Sequence, residues 1–548
     1  MQSSGLQTMD YIVFLFYFII VSGYGWWIYN KKKKAETSSA DYFLAEGSLT
    51  WWAIGASLIA SNISAEQFIG MSGNGFAMGL AISTYEWMAA ATLLVVAVFF
   101  LPIYLKNHIF TMPQFLSQRY NPSVALIMAI FWLFLYIFVN LSSILYLGAL
   151  AVTKVSGLDF MTCVIGMSIF AVFITLGGMK VIGFTDVIQV IVLIIGGLAT
   201  TYLALDMVAT KFGNPGMLNG LSFLYEKAPD HFHMILDKGQ LQIPNGEGGT
   251  KDAWVDLPGL TVLIGAMWIT NLNYWGCNQY ITQRALGADL KTARSGLLFA
   301  AFLKLLMPII VVIPGIAAYV LYQNGMFQTE MLNAKGHLIP DKSYPILLDL
   351  LPTGLKGLSF AALTAAIVAS LAGKANSIAT IFTLDIYKKV INKDADEKQL
   401  VKVGKIVIIV AMIIGCLVAP QLQGLDSAFQ FIQKYTGFVS PGIFAIFFLG
   451  FFWKGATGKG ALVAAILALP VSIAFDQFGG GMPFFHAMGY SFLILSAVII
   501  GVSLLDPESK DNPRGLEVDT SMFKVSKEFA IGAVVVIGIL TALYTYFW

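Results

Sequence analysis

The sequence predicts an all-α, polytopic membrane protein, and three observations carry that prediction. Hydrophobic residues make up 57% of the 548 positions and charged residues only 12%. The mean hydropathy is strongly positive. Apolar runs long enough to cross a bilayer follow one another along almost the whole chain, separated mostly by short polar stretches. A single membrane domain over residues 1–548 therefore accounts for the length better than a series of soluble domains.

Bilayer-length windows fall at about 11–29, 51–72, 79–105, 123–152, 159–178, 183–206, 257–277, 295–322, 356–388, 402–421, 425–452, 459–475, 488–505 and 527–547, about fourteen spans. The opening "MQSSGLQTMD" lacks the positive region of a signal peptide, so the first span is expected to be retained. Lys31, Lys32, Lys33 and Lys34 follow that span and place the N-terminus outside. An even number of spans then puts Trp548 outside as well. Of the 33 basic residues, roughly 22 fall on the inner side of this topology and roughly 8 on the outer, as short basic loops require. The Gly-, Asn-, Asp- and Pro-rich stretches at about 207–256 and 323–355 are expected to be outer caps, and Asp506–Pro513 a solvated inner connector.

Several function classes recede at this level. The net charge of +2 is a sum over separated loops and makes no nucleic-acid footprint. Cys163, Cys277 and Cys416 are widely spaced in apolar stretches, and the five histidines lie in or beside loops, so neither a disulfide framework nor a metal centre is expected. The chain is not expected to be an enzyme.

The informative residues are the polar ones at membrane depth. A charge near the bilayer centre costs about 2.5–3.5 kcal/mol on insertion scales, so each must face protein or water. Glu66, Glu86, Asp186, Lys304 and Lys374 all fall within predicted spans, whereas Lys180, Asp385 and Lys434 are placed to reach the headgroups. Two stretches also interrupt their spans: "SLIASNISAEQFIGMSG" at 57–73 and "TNLNYWGCNQY" at 270–280. Irregular backbone at that depth is tolerated only where it lines a cavity. A pair of broken helices five spans apart points to a transporter site between inverted repeats, where freed carbonyls bind cations and side chains bind solute.

The runs "SNISAEQFIGMSG", "YEWM", "GGMKVIGFTDVIQ", "NYWGCNQYITQRALGA", "FAAFLKLLMPIIVVIPGIAAY", "NSIATIFTLDIYK" and "YTGFVSPGIFAIFFLGFFWK" resemble the sodium/solute symporter family, most closely its bacterial sodium/galactose (sodium/glucose-type) branch. The resemblance covers nearly the whole chain. It implies a leading helix at about 11–29, a ten-helix inverted-repeat core at about 51–452 with broken first and sixth core helices, and trailing helices at about 459–547. It also implies a bacterial inner membrane, and sodium-coupled uptake of a neutral sugar by alternating access.

By that resemblance the sugar contacts fall on Asn62, Gln67, Glu86, Asn271, Lys304 and Gln433, with Tyr274 as the inner gate and Trp275 beside it. Such a set suits a sugar, whose hydroxyls both donate and accept. The family's galactose carriers have a serine three positions after the carboxylate, and Ala89 stands there instead.

The sodium ligands implied are the carbonyls of Ala60, Ile63 and Ala366 and the hydroxyl of Ser370. Where the family has two successive hydroxyl residues, this chain has Ala369 and Ser370. Lys374 lies one turn beyond Ser370 on the same helix face, and Asp186, which the resemblance places on the sodium exit route, is its expected partner. Two readings follow: Lys374 only neutralises Asp186 while a water replaces the lost ligand, or the ammonium screens or replaces the cation, making transport sodium-independent or proton-linked. A Ser370–Lys374 nucleophile–base dyad fits less well than a cation ligand. A non-transporting solute sensor or a channel would differ from a carrier in lacking counterflow.

Overall fold

The computed structural model describes residues 6–31, 42–43, 49–245, 248–333, 335–422 and 428–548. Lys32, Lys33 and Lys34, on which the outward N-terminus rests, lie outside the described residues. Among the described residues, eleven helices are long and apolar enough to cross a membrane. Phe160–Thr175 is a shorter apolar helix. The remaining polar-interrupted spans are short because the chain leaves helical geometry inside them.

The first interruption falls where the Ser and Asn residues crowd. Helix Trp51–Asn62 ends at Ile63, whose backbone is extended (φ −77°, ψ 112°). The chain resumes as a π-helical turn at Glu66–Met71 and continues as Ser72–Met78. Gln67 holds the restart: its Oε1 accepts from the Ser64 backbone N–H at 2.9 Å. Gly79 then turns the chain with φ 67°, a conformation only glycine adopts cheaply. A Cβ there would also sit 2.2 Å from the His231 carbonyl of a distant loop.

The second interruption differs from the expected 270–280 stretch. Residues Met267–Gly276 form intact helix, and the break is confined to Cys277 and Asn278 before Gln279–Leu286 restarts. Asn271 and Asn273 leave the backbone helical because their amides are otherwise engaged. Asn271 Nδ2 donates to the Met267 carbonyl one turn back at 3.2 Å, and Asn273 Nδ2 donates to Ser440 Oγ at 3.0 Å. A further departure from helical geometry sits earlier, at Gly265.

These two broken elements occupy the middle of the bundle. The first packs on helices Leu290–Gln323 and Gly178–Lys211, and the second on Thr84–Val95 and Ala428–Phe452. Helix Gly178–Lys211 packs in turn along Leu355–Thr380, which is buried along most of its length. The last three helices keep most of their surface outside the protein, as lipid-facing helices do. The long segment expected to be an outer cap folds into helix Met217–Lys227 and a short hairpin, Gln242–Pro244 paired with Thr250–Asp252.

Candidate functional site

Between the broken elements lies a cavity of about 90 Å³. Among its lining residues are Asn62, Gln67, Glu86, Ala89, Asn271, Tyr274, Trp275, Lys304 and Gln433. All eight residues expected to contact solute thus line one space, although they come from five stretches between Asn62 and Gln433. Water needs only about 10–15 Å³ of such volume, so the chamber has room for several water molecules.

Its centre is an ion pair. Lys304, from the middle of helix Leu290–Gln323, donates to Glu86 Oε2 and to Asn62 Oδ1. The two charged side chains are 1% and 3% exposed, which makes this a fully buried pair. Glu86 reaches it because helix Thr84–Val95 begins just after the Gly79–Ser83 turn and carries its carboxylate in the first turn. The remaining face of the ammonium looks onto Trp275, whose ring centroid is 5.2 Å away. Asn62 Nδ2 donates in turn to the Tyr274 hydroxyl at 3.1 Å, and Tyr274 packs edge-on against Trp275. A solute bound here must take over bonds that these groups now make to one another.

Two of the expected cation ligands, the Ile63 carbonyl and the Ser370 hydroxyl, meet at the first break. Ser370 Oγ donates to the Ile63 carbonyl at 3.3 Å and to the Ser61 carbonyl at 2.8 Å. The Ser61 carbonyl also accepts from the Tyr280 hydroxyl. Ala60 and Ala366 are buried, but the carbonyl engaged next to that of Ile63 is Ser61's, one residue beyond Ala60. The Ser61 hydroxyl itself is buried without a hydrogen-bond partner.

Asp186 and Lys374 do not pair. Asp186 Oδ2 accepts from Ser57 Oγ at 2.5 Å, and Ser57 Oγ accepts from Arg284 Nε at 2.9 Å. Arg284, buried at the foot of the second broken element, is therefore the cation that answers Asp186. Gly373 makes room for it, because a Cβ there would lie 2.3 Å from Arg284 Nη2. Lys374 instead lines the solute cavity with Glu66, its ammonium 4.2 Å from the Tyr280 ring centroid. The sequence reading missed Arg284, Ser57 and Tyr280. A lone arginine inside an otherwise uncharged helical stretch was the available signal.

Broken helices meeting at a buried, polar, mid-bundle chamber define a helical membrane transporter. The family description "Sodium:solute symporter family" matches residues 42–468. This chain belongs to the sodium:solute symporter family. It is 46% identical to a sodium/glucose cotransporter of Vibrio parahaemolyticus, with 99% of each chain covered. It is 33% identical to sodium/myo-inositol cotransporter 2 of Homo sapiens over 86% of this chain and 70% of that one. Among solved structures, a Na⁺-coupled sialic acid symporter in a substrate-bound outward-open state matches with a TM-score of 0.77 and 23% identity, over 91% of this chain and 98% of that one. That likeness speaks to the fold.

Proposed function

We propose that this protein carries a neutral hexose or cyclic polyol inward together with sodium, by alternating access. The observation that carries the reading is the Glu86–Lys304–Asn62 cluster sharing one chamber with Gln67, Asn271 and Gln433. Glu86 accepts from sugar hydroxyls, Lys304 and the amides donate, and Tyr274 and Trp275 supply an apolar face. An anionic solute would be repelled by Glu86. The Vibrio relative's description as a glucose cotransporter and the human one's as a myo-inositol cotransporter support the same solute class.

Sodium enters as the co-substrate. Its ligands are the carbonyls around Ile63, the carbonyl of Ala366 and the Ser370 hydroxyl, whose proton turns away from the carbonyls it now meets; a water completes the shell that Ala369 leaves short. Asp186 lies on the inward route. Coupling requires that sodium favour the conformation competent for sugar. One inward charge gains about 2.3 kcal/mol per 100 mV of membrane potential. The protein works as one transporter domain in a bacterial inner membrane with both termini outside, and Tyr274 moves to release solute inward. Sodium serves as a transported ion, and no catalytic step is involved.

The test is uptake of a panel of labelled sugars and polyols into proteoliposomes, in sodium or choline buffer, with counterflow measured in parallel. Counterflow of a hexose or inositol that accelerates in sodium is the expected result. Equal uptake in the two buffers overturns sodium coupling, and absent counterflow overturns transport of that solute.

A further inference from the structure

We infer that Lys374 is an affinity-setting residue for sodium: a tethered cation, facing Glu66 across the cavity, that holds sodium binding at the first helix break weak. The inference rests on the sodium site proposed above and adds what tunes it. Three observations converge. Lys374 is 5% exposed and still lines the chamber along with Ser61, Asn62, Ser64 and Glu66, the residues of the break. Its ammonium rests on the faces of Tyr280 and Tyr136, at 4.2 and 5.6 Å from their centroids. Tyr280 is the residue whose hydroxyl reaches the Ser61 carbonyl, to which Ser370 Oγ also donates at 2.8 Å. One ring therefore separates the ammonium from the carbonyls that would receive sodium.

Asp186 forms no ion pair with Lys374; its Oδ2 accepts from Ser57 Oγ, which Arg284 in turn bonds. The carboxylate that Lys374 faces is Glu66, which opens the restarted helix on the other side of the same break. Two like unit charges at roughly 7 Å repel enough, at a protein-like dielectric, to change affinity by more than tenfold. Glu66 attracts sodium and offsets part of that repulsion in the parent chain, whereas removing Lys374 alone lifts the repulsion in full. The aromatic faces stabilise the ammonium without contributing a compensating full charge. Sodium thus occupies its site at high concentration, and the ammonium maintains part of the field of the sodium-bound state when sodium is absent.

The experiment reads sodium without sugar, so that a wrong solute class and a wrong role for Lys374 give different results. Thermal unfolding of the detergent-solubilised full chain is followed while sodium replaces choline at constant ionic strength. For Lys374→Met the midpoint of the sodium-induced stabilisation should fall about tenfold or more relative to the parent chain, and Lys374→Gln should behave alike if the methionine variant does not fold. Lys374→Arg should keep the parent midpoint to within about twofold, and Glu66→Gln should raise it. An unchanged or higher midpoint in both neutral variants overturns the inference, as does absence of any sodium response in the parent chain and variants alike. Sodium stabilisation that appears only once Lys374 is neutralised supports it.

Discussion

At the scale of single residues, the Glu86–Lys304 pair is a costly arrangement buried in the lining of the chamber. Taking both charges out of water costs several kcal/mol each, and their attraction returns this only while both are present and hydrogen-bonded. Lys304→Ala strands the Glu86 carboxylate, which is 3% exposed. It should weaken sugar binding by about 100-fold or more and lower stability by about 3–5 kcal/mol. The double variant Glu86→Gln/Lys304→Gln should regain most of that stability while still failing to bind sugar, because neutral amides can satisfy one another but not reproduce charge-assisted bonds to hydroxyls. Thermal unfolding and binding of labelled sugar separate the two effects. Ala89 is 2% exposed and lines the same chamber. Ala89→Ser adds one hydroxyl there and should tighten galactose by about 1 kcal/mol, roughly fivefold, relative to a sugar that does not reach it. Equal gains for all sugars in a competition assay would show that the new hydroxyl does not face the solute.

Among the elements, the leading helix Thr8–Lys31 has a role that hydropathy does not suggest. Asp10 is fully buried, and its Oδ1 accepts from the backbone N–H groups of Gly354 and Gly357 at 2.7 and 2.9 Å. Those groups are free at the start of helix Leu355–Thr380, so a carboxylate from another helix caps it and complements its dipole. The capped helix carries both Ser370 and Lys374. Asp10→Ala should cost about 1–3 kcal/mol of stability, with Asp10→Asn recovering part of it. A lowered Tm and faster hydrogen exchange over residues 354–358 check this, and an unchanged Tm would make the cap incidental. The two broken helices show a related division of labour. In the first, short polar residues compete for the backbone and the chain opens at Ile63. In the second, amides of similar polarity bond along or across the helix, and the chain stays wound until Cys277.

Considering the molecule as a whole, the long loop before the second broken helix is tied to the first broken helix through His231. Its Nε2 lies 3.0 Å from the Phe76 carbonyl at the end of the first broken helix, and its ring stacks on Tyr319 with centroids 3.9 Å apart. Burial lowers the His231 pKa below the ordinary histidine value, against the opposing effects of its bond to Phe76 and of neighbouring Asp230. The docked loop therefore favours neutral imidazole, and the undocked loop binds more protons. Docking is at full strength above the free histidine value of about 6.5 and weakens as pH falls below it. Hydrogen exchange over residues 228–236, corrected for its intrinsic pH dependence, should accelerate as the pH falls below about 6.5, and His231→Gln should flatten the dependence. Acceleration that persists in the variant would assign it to another group.

The helical membrane fold and the existence of a buried polar chamber were legible in the amino-acid order, because both rest on local physics. Spans show as runs of apolar residues, and each buried charge marks itself by its desolvation cost, whatever its partner. The motif runs that resemble the family also pointed to Asn62, Gln67, Glu86, Asn271, Tyr274, Trp275, Lys304 and Gln433, which the fold gathers around one space. The pairing of charges was not legible. Asp186 meets Ser57 and Arg284, and Lys374 meets Tyr280 and faces Glu66, because partners are chosen by which helices lie side by side and how each is rotated. Those are long-range properties of packing, and the spacing of residues along one helix carries no record of them.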